Sequence, residues 1–494
     1  MVDVKKETAK GAKWLLLQKC TLQPLTFLYS MVLARLISPE EMGIIGLTAV
    51  FFAVATTLSS AGFGLALIRR IERTDLDCDT AFWFNLGMST LLSAVLFAAA
   101  PWFVSFYEQP ELLWLTRCSA IMMIFNATAG VHWALYSARR DFKTPAIVQT
   151  IAALVSMPIC LGLAYINWGV WALMTGTIVS SLVSLVSIWC ISPWKPRFRF
   201  STASFKELFG FGCKLTLASL LHTLYSHLRT FIIGKFYSAE SLGMYTKGSH
   251  LAELPPKTIS GVLHAVTYPI LATLQREPER LASVYRKYIK VASLPIVWGC
   301  CLIMALAEPF VGLCFGEVWL PCVIYVQIIA CGMMFDHICV ININLLQVLG
   351  KSDSILRIEI IKKTISTLMV LYSATISVTA ICVAMTLYSQ IAVFINCYYT
   401  NKYIGHSWWK QQQDYWPYII LSTLAVIPGY ILTFTELPDF VVLASGISSA
   451  AVIYLGLLLW KKDTTLLELF PLIENKIPFL RGVFKQMRQR LSEK

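Results

Sequence analysis

Apolar stretches of eighteen or more residues recur from one end of this sequence to the other, and no other feature narrows the fold as much. Each can cross a ~30 Å hydrocarbon core as a helix. Charged residues make up only 14% of the 494, against roughly 25% in a soluble chain. At about 35 residues per helix and loop, the length holds about fourteen spans. The expected fold is an all-α integral membrane protein of about 14 transmembrane helices. No segment is polar and long enough for a separate soluble domain. A formal charge of +13 would fit nucleic acid, but the basic residues lie in short loops between apolar spans, so no nucleic-acid partner is expected.

The spans fall near 14–35, 44–68, 80–104, 112–136, 146–166, 169–190, 208–234, 241–271, 285–314, 322–349, 355–378, 380–400, 417–435 and 440–460. Loop charge tests them. Every second loop is basic: Lys5 to Lys13, Arg69 to Arg73, Arg139 to Lys143, Lys195 to Lys206, Arg276 to Lys290, Lys351 to Lys363, Lys402 with Lys410, and the tail from Lys461. These segments hold 33 of the 41 Lys and Arg residues. The intervening loops are acidic or neutral, as at Glu40-Glu41, Glu108 with Glu111, and Glu436 with Asp439. The positive-inside rule then puts both termini in the cytoplasm. The charged start that runs into an apolar segment reads as a retained first helix.

The chain echoes itself. Residues 34–45, ARLISPEEMGII, align without a gap on 234–245, GKFYSAESLGMY. A second echo pairs PWFVSFYEQPELLWL, from Pro101, with PFVGLCFGEVWL, from Pro309. Both offsets are about six spans. The expected organisation is an N-terminal six-helix lobe (1–192), an amphipathic cytoplasmic linker (193–207), a C-terminal six-helix lobe (208–402), and two extra helices with a basic cytoplasmic tail (403–494). Two such lobes enclose a central cavity. The linker and the stretch 471–490 mix basic and aromatic residues, which suits either the headgroup layer or a plain linker and tail.

Charges inside spans are expensive and face a cavity or a partner. On span 7, Lys214, His222, Tyr225 and Arg229 share a helix face. On span 8, Lys247, His250, Leu254, Lys257, Gly261 and His264 do the same, with Glu253 beside them. Lys19 lies in span 1, and Arg117 and His132 in span 4. Lys19, Lys214, His222, Arg229, Lys247, His250 and Lys257 are the candidate substrate-binding residues of a cationic cavity, which would favour a phosphate or diphosphate. Arg229 is close enough to a helix end to snorkel instead, and a lone histidine such as His132 also fits plain packing. Asp336 with His337, and Glu253, are candidates for ion coupling; a satisfied buried pair is the alternative for the first two.

Enzyme signatures are missing: no Walker loop, GxSxG or HExxH occurs, and no metal-ligand spacing. Fourteen cysteines without a CxxC pair read as small buried hydrophobes. No cofactor and no metal are expected.

GAKW (Gly11–Trp14), LARLISPEEMGIIGL (Leu33–Leu47), SSAGFGLALIRR (Ser59–Arg70) and TAFWFNLG (Thr80–Gly87) resemble the Wzx-type polysaccharide flippases, in the colanic acid and teichuronic acid exporter subgroup. So do YPILATLQREPERLASVYRKYIK (Tyr268–Lys290), LPIVWG (Leu294–Gly299) and PFVGLCFGEVWLPCVIYVQIIACG (Pro309–Gly332). The resemblance covers most of the first 350 residues and weakens beyond about 360. It implies the multidrug/oligosaccharidyl-lipid/polysaccharide exporter superfamily, two six-helix lobes, and alternating access. It also implies a substrate, an undecaprenyl-diphosphate-linked oligosaccharide carried across the bacterial plasma (inner) membrane. Its partners would be that lipid-linked oligosaccharide, membrane lipids, and the polysaccharide polymerase and chain-length proteins. Two other readings remain. A multidrug/cation antiporter needs intramembrane carboxylates, and span 1 offers Lys19 instead. A polymerase or ligase of the same pathway should carry a large outer loop.

Overall fold

In a bilayer every backbone N–H and C=O must be satisfied within the chain, and a helix does so alone. The computed structural model is helical, with no strand among the described residues. It describes residues 21–259 and 277–463, apart from 61, 71 and 140, together with 271, 274, 275, 465 and 466. Lys19, Gly261, His264 and the stretch 471–490 lie outside the described residues.

Helix α1 is described over 21–36. It is followed by α2 (Pro39–Ser59), α3 (Phe63–Arg69), α4 (Asp75–Tyr107), α5 (Leu112–Ala138), α6 (Lys143–Tyr165), α7 (Val170–Ile191), α8 (Thr202–Phe236) and α9 (Ala239–Ala252). A short α10 is described over 254–259. Then come α11 (Pro278–Ala305), α12 (Ala307–Phe315), a 3-10 turn (Glu317–Cys322), α13 (Val323–Met333), α14 (Asp336–Val348), α15 (Ser352–Ser373), α16 (Val378–Ile404), α17 (Trp408–Leu432) and α18 (Asp439–Trp460). By length and composition, ten helical stretches among the described residues can cross a membrane. The helices α8 and α15 are long enough too, at 35 and 22 residues, and their charges lower their hydropathy.

Helix starts follow local chemistry. Ser38 caps α2 in a capping box with Glu41, with Pro39 as the first helical residue. Its repeat partner, Ser238, accepts the Ser241 amide at 3.1 Å and so caps α9. The motifs seen as an echo in the sequence thus build the same helix start twice.

Several expected spans are not single rods. The span at 44–68 begins five residues earlier, at the Ser38 cap, and breaks at Gly62, whose φ is +69°. A Cβ there would lie 2.8 Å from the Gly212 Cα. Close backbone approach and a left-handed turn both demand glycine. The span at 322–349 breaks between Met333 and Asp336, and 285–314 breaks at Leu306.

Packing divides the chain into two compact units, Met1–Thr246 and Lys247–Lys494. In the first, α4 runs along α5, α6 along α7, and α8 along α2. Helix α8 packs on α2, α3 and α4, all within the first unit. Residues 193–200 are irregular rather than helical, with bends at 193 and 198. They are tied to α4: the buried Asp79 accepts from the Arg197 amide and the Arg199 guanidinium, both at 3.0 Å, and Trp194 enters the core around Phe63 and Phe82. In the second unit, α17 packs on α11 and α18, while α13 and α15 pack on α16. The core of this unit gathers around Tyr285, Ile296, Ile338 and Tyr415.

Candidate binding sites and family

Helix α8 is anchored at both ends and bare between them. At its start, Phe205, Leu208 and Phe211 join the Phe63 core. Near its end Ile232, Ile233 and Gly234 are buried, and the Lys235 ammonium donates to the Phe106 carbonyl and lies 4.3 Å over its ring. No residue from 213 to 231 is buried. Lys214 and His222 are exposed on this middle stretch, two turns apart. Tyr225 and Arg229 are half-buried and engage neighbours. A cavity of ≈ 320 Å³ lies against the same stretch, and Thr57, Ser60, Ser137, Thr216 and Ser219 share its lining with Trp133, Leu65 and Ile68. Hydroxyls beside an aromatic ring suit a polyhydroxylated ligand.

In the second unit, Lys247 is buried, with its ammonium 3.9 Å over the Phe315 ring and 5.5 Å from that of Trp319. This is a packed cation–π site. His250 is exposed. Glu253 pairs with Lys257 one turn on and accepts from Ser249 Oγ at 3.0 Å. Asp336 is the first residue of α14, where the helix dipole favours a carboxylate, and it lies within electrostatic reach of Lys362, Glu253 and Lys257. His337 points elsewhere: it is fully buried, with Nε2 2.8 Å from Ser293 Oγ. Asp336 and His337 therefore do not form a pair. His132 is likewise packed, its Nδ1 2.8 Å from Ser192 Oγ, and Arg117 covers Phe97 and Trp114. Thus Lys214, His222 and Arg229 sit on the first unit, and Lys247, His250, Glu253, Lys257 and Asp336 on the second. Among the described residues no group of His, Cys, Asp or Glu could hold a metal.

A further polar cluster among the described residues is one that sequence reasoning missed. Asp414, buried near the start of α17, accepts from Arg286 Nε at 3.1 Å and Nη2 at 2.9 Å. Its carboxylate also meets Lys290 Nζ at 3.5 Å and His406 Nε2 at 3.0 Å. Beneath it Gln411 donates to the His406 carbonyl at 3.4 Å and accepts from Asn342 at 3.2 Å. Asn342 in turn accepts from Tyr285 at 2.7 Å and from Thr400. The network ties α11, α14, α16 and α17 together. Above it opens a cavity of ≈ 580 Å³ lined by Arg286, Lys287, Lys290, His406 and Lys410, with Glu279 also in the lining. The available signal was a run of amides, Asn342, Gln411 and Gln412, in apolar surroundings. In the sequence Arg286 and Lys290 read only as charges of a basic loop.

Two helical units with interrupted helices, ten stretches of which among the described residues can cross a membrane, define a multi-span membrane fold. Solved structures agree on that fold. A lipid II flippase, MurJ, in an inward closed conformation superposes with a TM-score of 0.71 at 13% identity, covering 92% of this chain and 99% of the other. An inward-facing multidrug resistance MATE family transporter of the MOP superfamily gives 0.61 at 16%, covering 76% and 94%. Residues 32–324, more than half the chain, match the family described as polysaccharide biosynthesis protein, and the chain belongs to it. Among relatives, the teichuronic acid biosynthesis protein TuaB of Bacillus subtilis is 22% identical over 72% of this chain and 74% of its own. The succinoglycan biosynthesis transport protein ExoT of Rhizobium meliloti is 23% identical over 64% of each chain. The lipopolysaccharide biosynthesis protein WzxC of Escherichia coli is 25% identical over 64% of this chain and 65% of its own. The resemblance drawn from the motifs thus holds at the level of the family.

Proposed function

We propose that this protein is a flippase. It moves undecaprenyl-diphosphate-linked oligosaccharide units across the bacterial plasma membrane for assembly of a surface polysaccharide. It does so by alternating access, with about fourteen spans and with both termini in the cytoplasm. The observation that carries the reading is the family match over residues 32–324, joined by relatives whose names place them in polysaccharide biosynthesis and transport. The chemistry of α8 supports it. Exposed Lys214 offers charge and exposed His222 a hydrogen bond to a diphosphate, and the hydroxyls in the lining of the cavity beside Trp133 offer hydrogen bonds to a sugar. The polymerase and chain-length proteins of the pathway would act on what it delivers. An antiporter of cations fits less well, because Glu253 is answered by Lys257, and Asp336 has Lys257 and Lys362 in reach.

The test is surface polysaccharide export in a host strain lacking its own copy. Lys214→Ala, His222→Ala and Lys257→Ala combined should cut export about tenfold or more, the effect of losing at least one charge-assisted contact. The protein should stay in the membrane at normal abundance. Full export by this variant overturns the cationic cavity. Unchanged surface polysaccharide in the strain without the chain overturns the transport reading itself.

A further inference from the structure

The basic cavity on the second unit has no role in the transport reading, and its construction points to a ligand. Arg286, Lys287, Lys290 and Lys410 bring four cationic side chains to one cavity of ≈ 580 Å³. Among the described residues the carboxylates near them are few, and Lys287 engages a further group. Asp414 is saturated by Arg286, Lys290 and His406, and Glu279 is the one acidic residue in the lining. Asp463 lies behind Thr465, with its oxygens taken by the Thr465 and Leu466 amides and the Tyr418 hydroxyl. The cavity also takes in Lys410, in the first turn of the 25-residue α17, whose dipole adds positive potential there.

Rigidity and depth sharpen the argument. The Asp414 carboxylate fixes the Arg286 fork and pairs with Lys290, and the buried Gln411–Asn342–Tyr285 chain fixes the floor, so two of the four cations are held before any ligand arrives. Trp409 and Trp416 on α17 are 69% and 48% exposed. Exposed indoles beside basic residues mark the headgroup level of a bilayer. Ile420 and Leu424, 54% and 48% exposed, follow them along the helix. The basic loops that flank the cavity are those that the positive-inside rule assigns to the cytoplasmic face.

We propose that this cavity binds a phosphate-bearing anion at the cytoplasmic surface, with the headgroup of an anionic membrane phospholipid as the source that its depth favours. Basic cavities between transmembrane helices on that face recognise such headgroups. The site is separate from the α8 stretch and does not depend on the transport reading.

The experiment uses the full chain purified in zwitterionic detergent. It is titrated with short-chain phosphatidylglycerol, short-chain phosphatidylcholine and inorganic diphosphate, and bound ligand is read by native mass spectrometry. Phosphatidylglycerol should bind and phosphatidylcholine should not. Lys287→Gln with Lys410→Gln removes two cations without touching the Asp414 pairs. It should weaken binding about thirty-fold, the effect of two basic groups beside an anionic headgroup. A control pair, Arg139→Gln with Lys206→Gln, removes equal charge from the exposed surface of the first unit and should leave binding within about twofold. Diphosphate binding that responds to the same variant, without phosphatidylglycerol binding, assigns the site to a free phosphate ligand. Equal losses in the two double variants, equal binding of phosphatidylcholine, or no anion binding overturns the site.

Discussion

At the scale of single residues, burial separates cations that hold the fold from cations that can meet a ligand. Lys247 lies on two aromatic faces, and Lys247→Ala should lower stability by about 2 kcal/mol, the worth of a desolvated cation–π contact. Lys214→Ala, on the exposed middle of α8, should leave the melting temperature unchanged while export falls. Thermal unfolding of the two purified variants checks the contrast, and equal melting points would refute it. Asp414→Asn leaves Arg286 and Lys290 without their carboxylate. A fully buried pair broken this way loses roughly 3–5 kcal/mol, and about 2 kcal/mol is expected here because both cations are partly exposed. A melting temperature like that of the unaltered protein would show that the hub adds nothing. Helical phase was enough to pick out Lys214 and His222. It could not reveal Asp414, because its partner Arg286 stands 128 residues away and a carboxylate in a basic loop looks like solvation.

Elements carry their information in two forms, one legible and one hidden. Hydropathy locates a helix because lipid demands an apolar surface, so described helix falls within each expected span. Breaks are hidden because they answer to neighbours. Gly62 turns left-handed where α8 crosses it at Gly212. The interruption before Asp336 occurs in an apolar run with no proline. Among the described glycines, the closest approach is between α2 and α9. A Cβ on Gly43 would overlap the Ala239 carbonyl, coming 2.7 Å from its carbon and 3.1 Å from the Gly243 nitrogen. A Cβ on Gly243 would overlap the Pro39 carbonyl in the same way, at 2.7 Å and 3.2 Å. Each of Gly43→Ala and Gly243→Ala should therefore cost about 2 kcal/mol or more through overpacking and reduce export. Gly46→Ala, with only the Leu242 side chain at 3.9 Å, should be tolerated. Membrane abundance and export of the three variants measure this, and a tolerated Gly43→Ala would show that the helices can part there at little cost.

On the scale of the whole molecule, the alternation of loop charge is the strongest statement about orientation. Cysteines placed at Glu108 and Glu436 should react with an impermeant thiol reagent from outside intact cells, and cysteines at Arg197 and Lys402 should not. The reverse pattern would invert the topology. The division into units was less legible. The sequence turns polar before α8 but does not reveal its contacts: Asp79 draws that segment onto α4, and α8 packs on α2, α3 and α4. Polar character marks a connection in the chain; only contact marks a boundary in space. The meeting of Gly43 and Gly243 has a further consequence, for ancestry. Residues 39 and 43 touch 239 and 243 in the same way that 239 and 243 touch 39 and 43, so the contact is self-complementary. A half-length forebear with a single copy of the motif would have found this partner in a second molecule of itself. Duplication and fusion would then have enclosed an interface older than the full-length chain, leaving two codons under a single constraint.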